Sequence, residues 1–69
     1  MTDGEFAKEA RLRLGLTLDA MAKMLGYQGN NLRSQMHHIE VDRSALRPPQ
    51  RRLIEAYLSG YRPKDWPKD

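Results

Sequence analysis

The sequence lacks cysteine altogether, and it has no long hydrophobic run. Without thiols, disulfide bonds and thiolate metal sites are excluded. No apolar stretch approaches the ~20 residues that a membrane-spanning helix needs, and the N-terminus has neither the basic nor the apolar region of a signal peptide. We therefore expect an intracellular, cytoplasmic protein.

Aromatic and hydrophobic residues are also scarce. The 69 residues include one Trp, one Phe and three Tyr, and only 39% are hydrophobic. A chain of this length forms one small domain that buries only about 60% of the surface its unfolded form exposes. It offers no room for an ordinary active-site cleft, and it has no Gly-rich phosphate loop, paired carboxylates or serine with a recognisable base. We expect no enzymatic activity and no cofactor.

Two adjacent histidines, His37 and His38, are the feature that most suggests a metal. Neighbouring side chains on a helix point about 100° apart, and no cysteine or suitably spaced third histidine completes a ligand set. The sequence therefore predicts no metal site.

The charge is unevenly distributed. The net charge is +3, and basic and acidic residues cancel in residues 1–26, so the surplus lies in residues 27–69, where eight Lys and Arg face five Asp and Glu. A basic half on a small domain fits a polyanionic partner. A net charge of this size is also normal for an ordinary solvated surface. Composition alone therefore leaves open both a polyanionic partner and a surface charge that serves solubility.

Hydrophobic periodicity and helix-stop residues predict four helices and no strand. The first helix covers about residues 4–14, with Asp3 as its N-cap and Gly15 as its stop. Thr17 is well placed to cap the second helix, and Gly26 ends it. The chain is therefore expected to be all-α.

The third helix is predicted over about residues 30–41, with Asn30 or Gln28 as its cap. The fourth covers about residues 48–59, because prolines are tolerated at the first positions of a helix and two of them stand there. After residue 60 the prolines predict an extended tail, residues 61–69.

The third helix has two distinct faces. At about 100° per residue, Leu32, Met36 and Ile39 share one side and polar side chains share the other. Asn and Arg can form paired hydrogen bonds with adenine and guanine in the DNA major groove, which accommodates an α-helix. The predicted base-contacting residues are Asn30, Asn31, Arg33, Ser34 and His37. Asn30 could instead be a simple N-cap, and Arg33 an ordinary solvent-exposed side chain.

A second group of residues is suited to contacting the DNA backbone. Arginines after the third helix can hold phosphates without distinguishing sequences, and a glycine at a helix N-terminus lets the backbone approach closely. The predicted backbone contacts are Thr17, Gly29, Arg43, Arg47 and Arg51. Arg51 or Arg52 could instead pair with Glu55 on the surface.

Several residues together resemble the Cro/cI-type (XRE-family) helix-turn-helix domains of phage and bacterial regulators. The matching positions are Gly15-Leu16-Thr17, Met21-Ala22, Leu25-Gly26 and Leu32, within a resemblance that covers about residues 5–58. It implies a compact, lambda-repressor-like four-helix domain in residues 1–60, with a turn of about three to four residues around Gly26. It also implies DNA binding in the bacterial nucleoid or a phage-infected cell, and it adds Gln28, in the turn, to the predicted base contacts. The size is similar to that of small phage and anti-CRISPR-associated regulators.

The chain departs from the family pattern at three points. Leu18 stands where the family usually has Gln in contact with the DNA backbone. The pair of an apolar residue and Glu occurs at Ile39-Glu40, one turn later than usual, so we expect a longer third helix and a contact from Glu40 to Arg11. The fifth helix of larger members is absent.

Taken together, these features predict a sequence-specific double-stranded-DNA-binding transcriptional regulator, acting as a homodimeric repressor at an inverted repeat. The predicted dimer interface is Tyr57, Leu58, Tyr61 and Trp66. Trp66 could equally fold back over helix four of its own chain. The alternative function is a protein-interaction module, such as an antitoxin or adaptor, that uses the same helical surface.

Overall fold

The computed structural model describes residues 1–67, which form four α-helices without any β-strand. The helices are α1, Asp3–Leu14; α2, Leu18–Met24; α3, Leu32–Glu40; and α4, Pro48–Leu58. The predicted all-α, four-helix class is confirmed. No helix in this part of the chain has both the length and the hydropathy of a membrane span. Lys68 and Asp69, the end of the predicted tail, lie outside the described residues.

The α1 helix is capped by Thr2 rather than by Asp3, so that prediction was wrong. The Thr2 hydroxyl accepts a hydrogen bond from the Glu5 backbone N–H at 3.1 Å, and the Glu5 carboxylate accepts one from the Thr2 N–H at 2.9 Å. This reciprocal pair is a capping box. Asp3 is the first residue of the helix, and its carboxylate pairs with Arg51 at 2.8 Å.

The segment between α2 and α3 is longer than predicted. Thr17 caps α2 as expected, accepting from the Ala20 N–H at 3.1 Å, but α3 begins only at Leu32. Residues 25–31 therefore connect the helices with seven residues, not three or four. Gly26 and Gly29 both have positive φ values, 94° and 106°, which are incompatible with a right-handed helix and delay its start.

The N-cap of α3 also differs from the prediction. Asn31 occupies that position without a side-chain hydrogen bond, and neither Asn30 nor Gln28 serves as the cap. The helix ends at Glu40, one residue before the predicted boundary. The four largest fully buried side chains are Met21, Met36, Ile39 and Ile54, and α3 packs against both α1 and α2.

The N-terminus of α1 lies directly against the C-terminal end of α3. A Cβ atom at Gly4 would lie 2.6 Å from the carbonyl oxygens of both Ile39 and Glu40. Asp42, with φ of 62°, accepts hydrogen bonds from the Gly4 N–H at 2.9 Å and the Thr2 hydroxyl at 2.8 Å. Only glycine fits this crossing without a shift of backbone.

A buried ion pair holds the other end of α1 to α3. Arg11 donates from Nε to Glu40 Oε2 at 2.7 Å and from Nη2 to Oε1 at 3.3 Å. Its Nη1 donates to the Leu16 carbonyl at 3.2 Å. Glu40 is only 8% exposed. The expected contact between Arg11 and Glu40 is confirmed, and together with the Gly4 crossing it holds α3 at both ends of α1.

The tail after α4 folds back onto the domain and is not extended as predicted. The Trp66 N–H donates to the Pro63 carbonyl at 3.1 Å, and the indole packs edge-on against Tyr57 with ring centroids 5.1 Å apart. The Arg62 guanidinium lies over the indole at 4.3 Å. Of the two predicted arrangements, Trp66 has the one within its own chain.

Candidate nucleic-acid interface

The outer face of α3 is polar and exposed along its length. Arg33, Ser34 and His37 are all exposed, while Met36 and Ile39 are buried on the opposite side. The separation of the two faces follows the predicted periodicity. Because the buried side is fixed by tight packing, the outer side chains project from a helix held in one orientation.

The remaining predicted base contacts precede the helix. Gln28, Asn30 and Asn31 are exposed in the segment 25–31, so the prediction that Asn30 and Asn31 belong to the helix was wrong. They nevertheless lie at its N-terminal end. Nothing surrounds Gly29 within 4 Å of its would-be Cβ, which leaves the backbone there open to a ligand.

The predicted base-contacting side chains have no internal hydrogen-bond partners. Across residues 1–67, none of their polar atoms takes part in a hydrogen bond or ion pair within the chain. The α3 N-terminus also has no side-chain cap, so N–H groups of its first turn are free to bind water or a ligand. The residues concerned are Gln28, Asn30, Asn31, Arg33, Ser34 and His37.

A tyrosine fastens this loop to the start of α4. Tyr27 donates its hydroxyl to Gln50 Oε1 at 3.2 Å, and the same oxygen accepts the Arg47 backbone N–H at 3.2 Å. Arg47 therefore lies beside the segment that leads into α3. Sequence reasoning missed this role of Tyr27; the available signal was a single aromatic residue within a polar loop.

The eight arginines separate into two groups. Arg11, Arg13, Arg51 and Arg62 are held by carboxylates or carbonyl oxygens of the chain. The other four are exposed and make no ion pair with any residue in the range 1–67. These unpaired arginines are Arg33, Arg43, Arg47 and Arg52.

Arg51 was predicted to contact the DNA backbone or, alternatively, to pair with Glu55, and in the structure it is engaged by residues of its own chain. Its guanidinium pairs with Asp3 at 2.8 Å, approaches Glu55 at 3.8 Å and lies 4.2 Å from the centre of the Phe6 ring. Arg52 is one residue further, about 100° around the helix. That rotation takes it away from α1 and leaves it exposed.

An open cleft of about 480 Å³ lies beside the start of α2. Its lining includes Thr17, Leu18 and Asp19 together with Arg33 from α3. The Thr17 hydroxyl is the α2 cap, but its own proton remains available to an acceptor. Asp19 adds a negative charge that opposes the binding of phosphate. Thr17 is thus close to the polar α3 face, in a mixed electrostatic setting.

A second open cleft, of about 430 Å³, is lined mainly by residues of the α2–α3 segment and the end of α2. Lys23, Gln28 and Gly29 line it, and Asp65 of the tail is on its rim. The returning tail therefore brings a carboxylate close to the segment that leads into α3. No sequence pattern indicated this neighbour, because it depends on how Trp66 packs.

The predicted dimer residues have different environments. Tyr57 is 3% exposed and donates its hydroxyl to the Met24 carbonyl at 2.7 Å, so it is not available to a partner. Trp66 is half-buried against it. Tyr61 stacks on Tyr57 at 5.9 Å with its outer side exposed, and Leu58 is 37% exposed.

Across residues 1–67 no cluster of three or more His, Asp or Glu side chains could hold a metal. The chain matches no protein-family model, no curated protein and no solved structure. The resemblance to XRE-family regulators therefore stays a prediction carried by the residues themselves.

Proposed function

We propose that this chain is a sequence-specific double-stranded-DNA-binding transcriptional regulator that acts as a homodimeric repressor at an inverted repeat. The observation that carries the proposal is the outer face of α3, whose polar side chains are exposed and free of internal partners while its inner face is fixed by the core. A surface of this kind needs no rearrangement before it binds.

The dimensions and chemistry of α3 support this proposal. An α-helix with its side chains is about 10–12 Å across and the major groove is about 12 Å wide, so α3, with its nine residues, fits into the groove. Arg33 is suited to a paired contact with guanine O6 and N7, and Asn31 to one with adenine N6 and N7. Ser34 and His37, further along the same face, can donate to or accept from base edges.

The unpaired arginines supply the sequence-independent part of the binding. Arg43 follows the C-terminal end of α3, and Arg47 lies beside the loop at its N-terminal side, so positive charge flanks the proposed reading surface. Arg52 adds to it from α4. Contacts of this type orient a protein on DNA and make its affinity depend on salt.

Selection from random duplexes at physiological salt tests the proposal first. A binding motif with two-fold symmetry is the expected result, and an outcome without any enriched motif would refute it. Substitutions then separate the two kinds of contact. Arg33→Ala should cost ~1–3 kcal/mol and relax the preference at one base position. Arg47→Ala should weaken all sequences alike and reduce the salt slope by about 1.

Lys8→Ala is the matched control for both variants. It removes the same single positive charge from an exposed position on α1 that is not among the proposed contacts. It should change neither the motif nor the salt slope. If the two arginine variants bound DNA as Lys8→Ala does but lost a protein partner, the chain would be an interaction module instead.

A further inference from the structure

A shallow apolar groove separates α1 from α4. Its volume is about 80 Å³. Met1 and Leu58 in its lining are 84% and 37% exposed, and with Phe6 they form a contiguous apolar patch that a partner could cover. The lining residues are Met1, Phe6, Glu9, Ala10, Arg13 and Leu58.

The charges around this groove differ from those around α3. Glu9 and Arg13 stand one turn apart on α1, 3.4 Å from each other, with side chains 49% and 69% exposed. Next to the groove, Arg51 of α4 lies over the Phe6 ring, pairs with Asp3 and approaches Glu55. Both signs alternate here, and the unpaired arginines are elsewhere. The surface is therefore unsuited to a polyanion, and it is complementary to a partner that carries both signs in the same spacing.

We propose that a second copy of this chain docks on the α1–α4 groove around a two-fold axis. In such an interface the same patch faces itself, so a contact from one residue to another always occurs twice. An acidic and a basic residue one turn apart on a helix complement their own copy when two such helices pack antiparallel. Glu9 then meets the partner's Arg13, and Arg13 meets the partner's Glu9.

This arrangement also covers the exposed apolar side chains. A chain of 69 residues buries too little surface to be robust alone, and a second copy adds apolar burial at Phe6 and Leu58. Leu58 is the member of the predicted dimer set that lines the groove, whereas Tyr57 and Trp66 pack against each other within the chain. The outer face of α3 takes no part, so this interface deepens the proposed function by giving its homodimer a surface.

Charge reversal and mixing provide a sharp test. In sedimentation equilibrium the wild-type chain should be dimeric, and Glu9→Arg and Arg13→Glu should each dimerise at least about tenfold more weakly, because like charges then face each other twice. An equimolar mixture of the two variants should recover the dimer, since the basic surface of one faces the acidic surface of the other.

Matched apolar substitutions complete the experiment. Leu58→Asp should give a monomer, whereas Val41→Asp, at a position 46% exposed after α3 and outside the groove, should leave the dimer unchanged. Thermal melts show that each variant is folded. A monomeric wild type, single variants that dimerise like wild type, or a mixture that stays monomeric would each overturn the proposal.

The outcome is distinguishable from that of the proposed function. A wild-type monomer that still selects a DNA motif overturns the groove interface and leaves DNA binding intact. A dimer that depends on the groove but selects no DNA motif overturns the proposed DNA binding and leaves the groove interface intact.

Discussion

Removal of the Arg11 charge is expected to leave Glu40 buried without a partner. The Arg11 guanidinium makes two hydrogen bonds to Glu40 and one to the Leu16 carbonyl, and the two side chains are only 14% and 4% exposed. Arg11→Met keeps most of the aliphatic stem and deletes all three bonds. The remaining carboxylate has neither water nor a cation to compensate its desolvation.

The magnitude follows from that imbalance. Breaking a buried pair by removing one partner costs about 3–5 kcal/mol, and Arg11→Met should fall near the lower end, about 3 kcal/mol, because Arg11 retains some solvent. A domain of this length has a total stability of about 3–10 kcal/mol, so the variant should be marginally folded. Arg11→Met with Glu40→Leu removes both charges and should recover most of the loss.

Urea unfolding followed by circular dichroism measures these differences. A loss of about 3 kcal/mol corresponds to a fall in Tm of roughly 12–24 °C in a domain of this size. Glu40→Gln is the intermediate case, since it keeps the shape and acceptor but loses the charge. A loss in the free energy of unfolding of under about 1 kcal/mol for Arg11→Met, the value for a solvated surface pair, would contradict this prediction. So would a double variant that is no more stable than Arg11→Met.

Three further predictions concern the Gly4 crossing, the buried Tyr57 hydroxyl and two neighbouring arginines. Gly4→Ala should destabilise the domain by about 1–3 kcal/mol, because its Cβ would meet two backbone carbonyls that cannot rotate away; an unchanged melting curve contradicts this. Tyr57→Phe should cost about 0.5–1.5 kcal/mol through the lost bond to the Met24 carbonyl. Burial, and then the nearby Tyr61 and Asp65, raise the pKa of Tyr57. The wild type should therefore keep its stability below about pH 10 and lose part of it above, a loss absent from Tyr57→Phe in melts across that range. Arg51→Ala should lower stability by about 1 kcal/mol through the lost ion pair and Phe6 contact, whereas Arg52→Ala should leave the melt unchanged and weaken DNA binding in a titration. If Arg52→Ala lowered stability and Arg51→Ala only weakened DNA binding, the roles given to the two arginines would be wrong.

Local pattern was sufficient for the helices and for the faces of α3. The spacing of Leu32, Met36 and Ile39 separates an apolar side from a polar one because helical geometry fixes where each residue points. The Thr17 cap was predictable for the same reason, since a cap satisfies N–H groups only a few residues away. Such features depend on neighbours in the sequence and not on the rest of the fold.

Boundaries were less predictable where two good candidates stand side by side. Thr2 and Asp3 are both favourable N-caps, and local preference hardly distinguishes them. The choice is made by tertiary partners, because Asp42 receives the Thr2 hydroxyl and Arg51 takes the Asp3 carboxylate. The start of α3 was misplaced because the positive φ at Gly29 is a property of the folded loop, and glycine is also compatible with other conformations.

The candidate site also depends on long-range partners, because the arginines available to a ligand are those that no other residue of the chain binds. The sequence alone does not show which arginines these are. Every arginine has the same intrinsic chemistry, and what separates Arg51 from Arg52 is that α1 supplies a carboxylate and an aromatic ring to the first and nothing to the second. These partners are about 50 residues away along the chain. A basic half is therefore visible in the composition, but its usable charge is smaller than the count suggests, since part of it holds helices together. Of the arginines that remain unpaired, Arg33 stands on α3, Arg43 follows its C-terminal end, and Arg47 lies beside the loop that leads into it, so three of the four are close to the proposed reading surface.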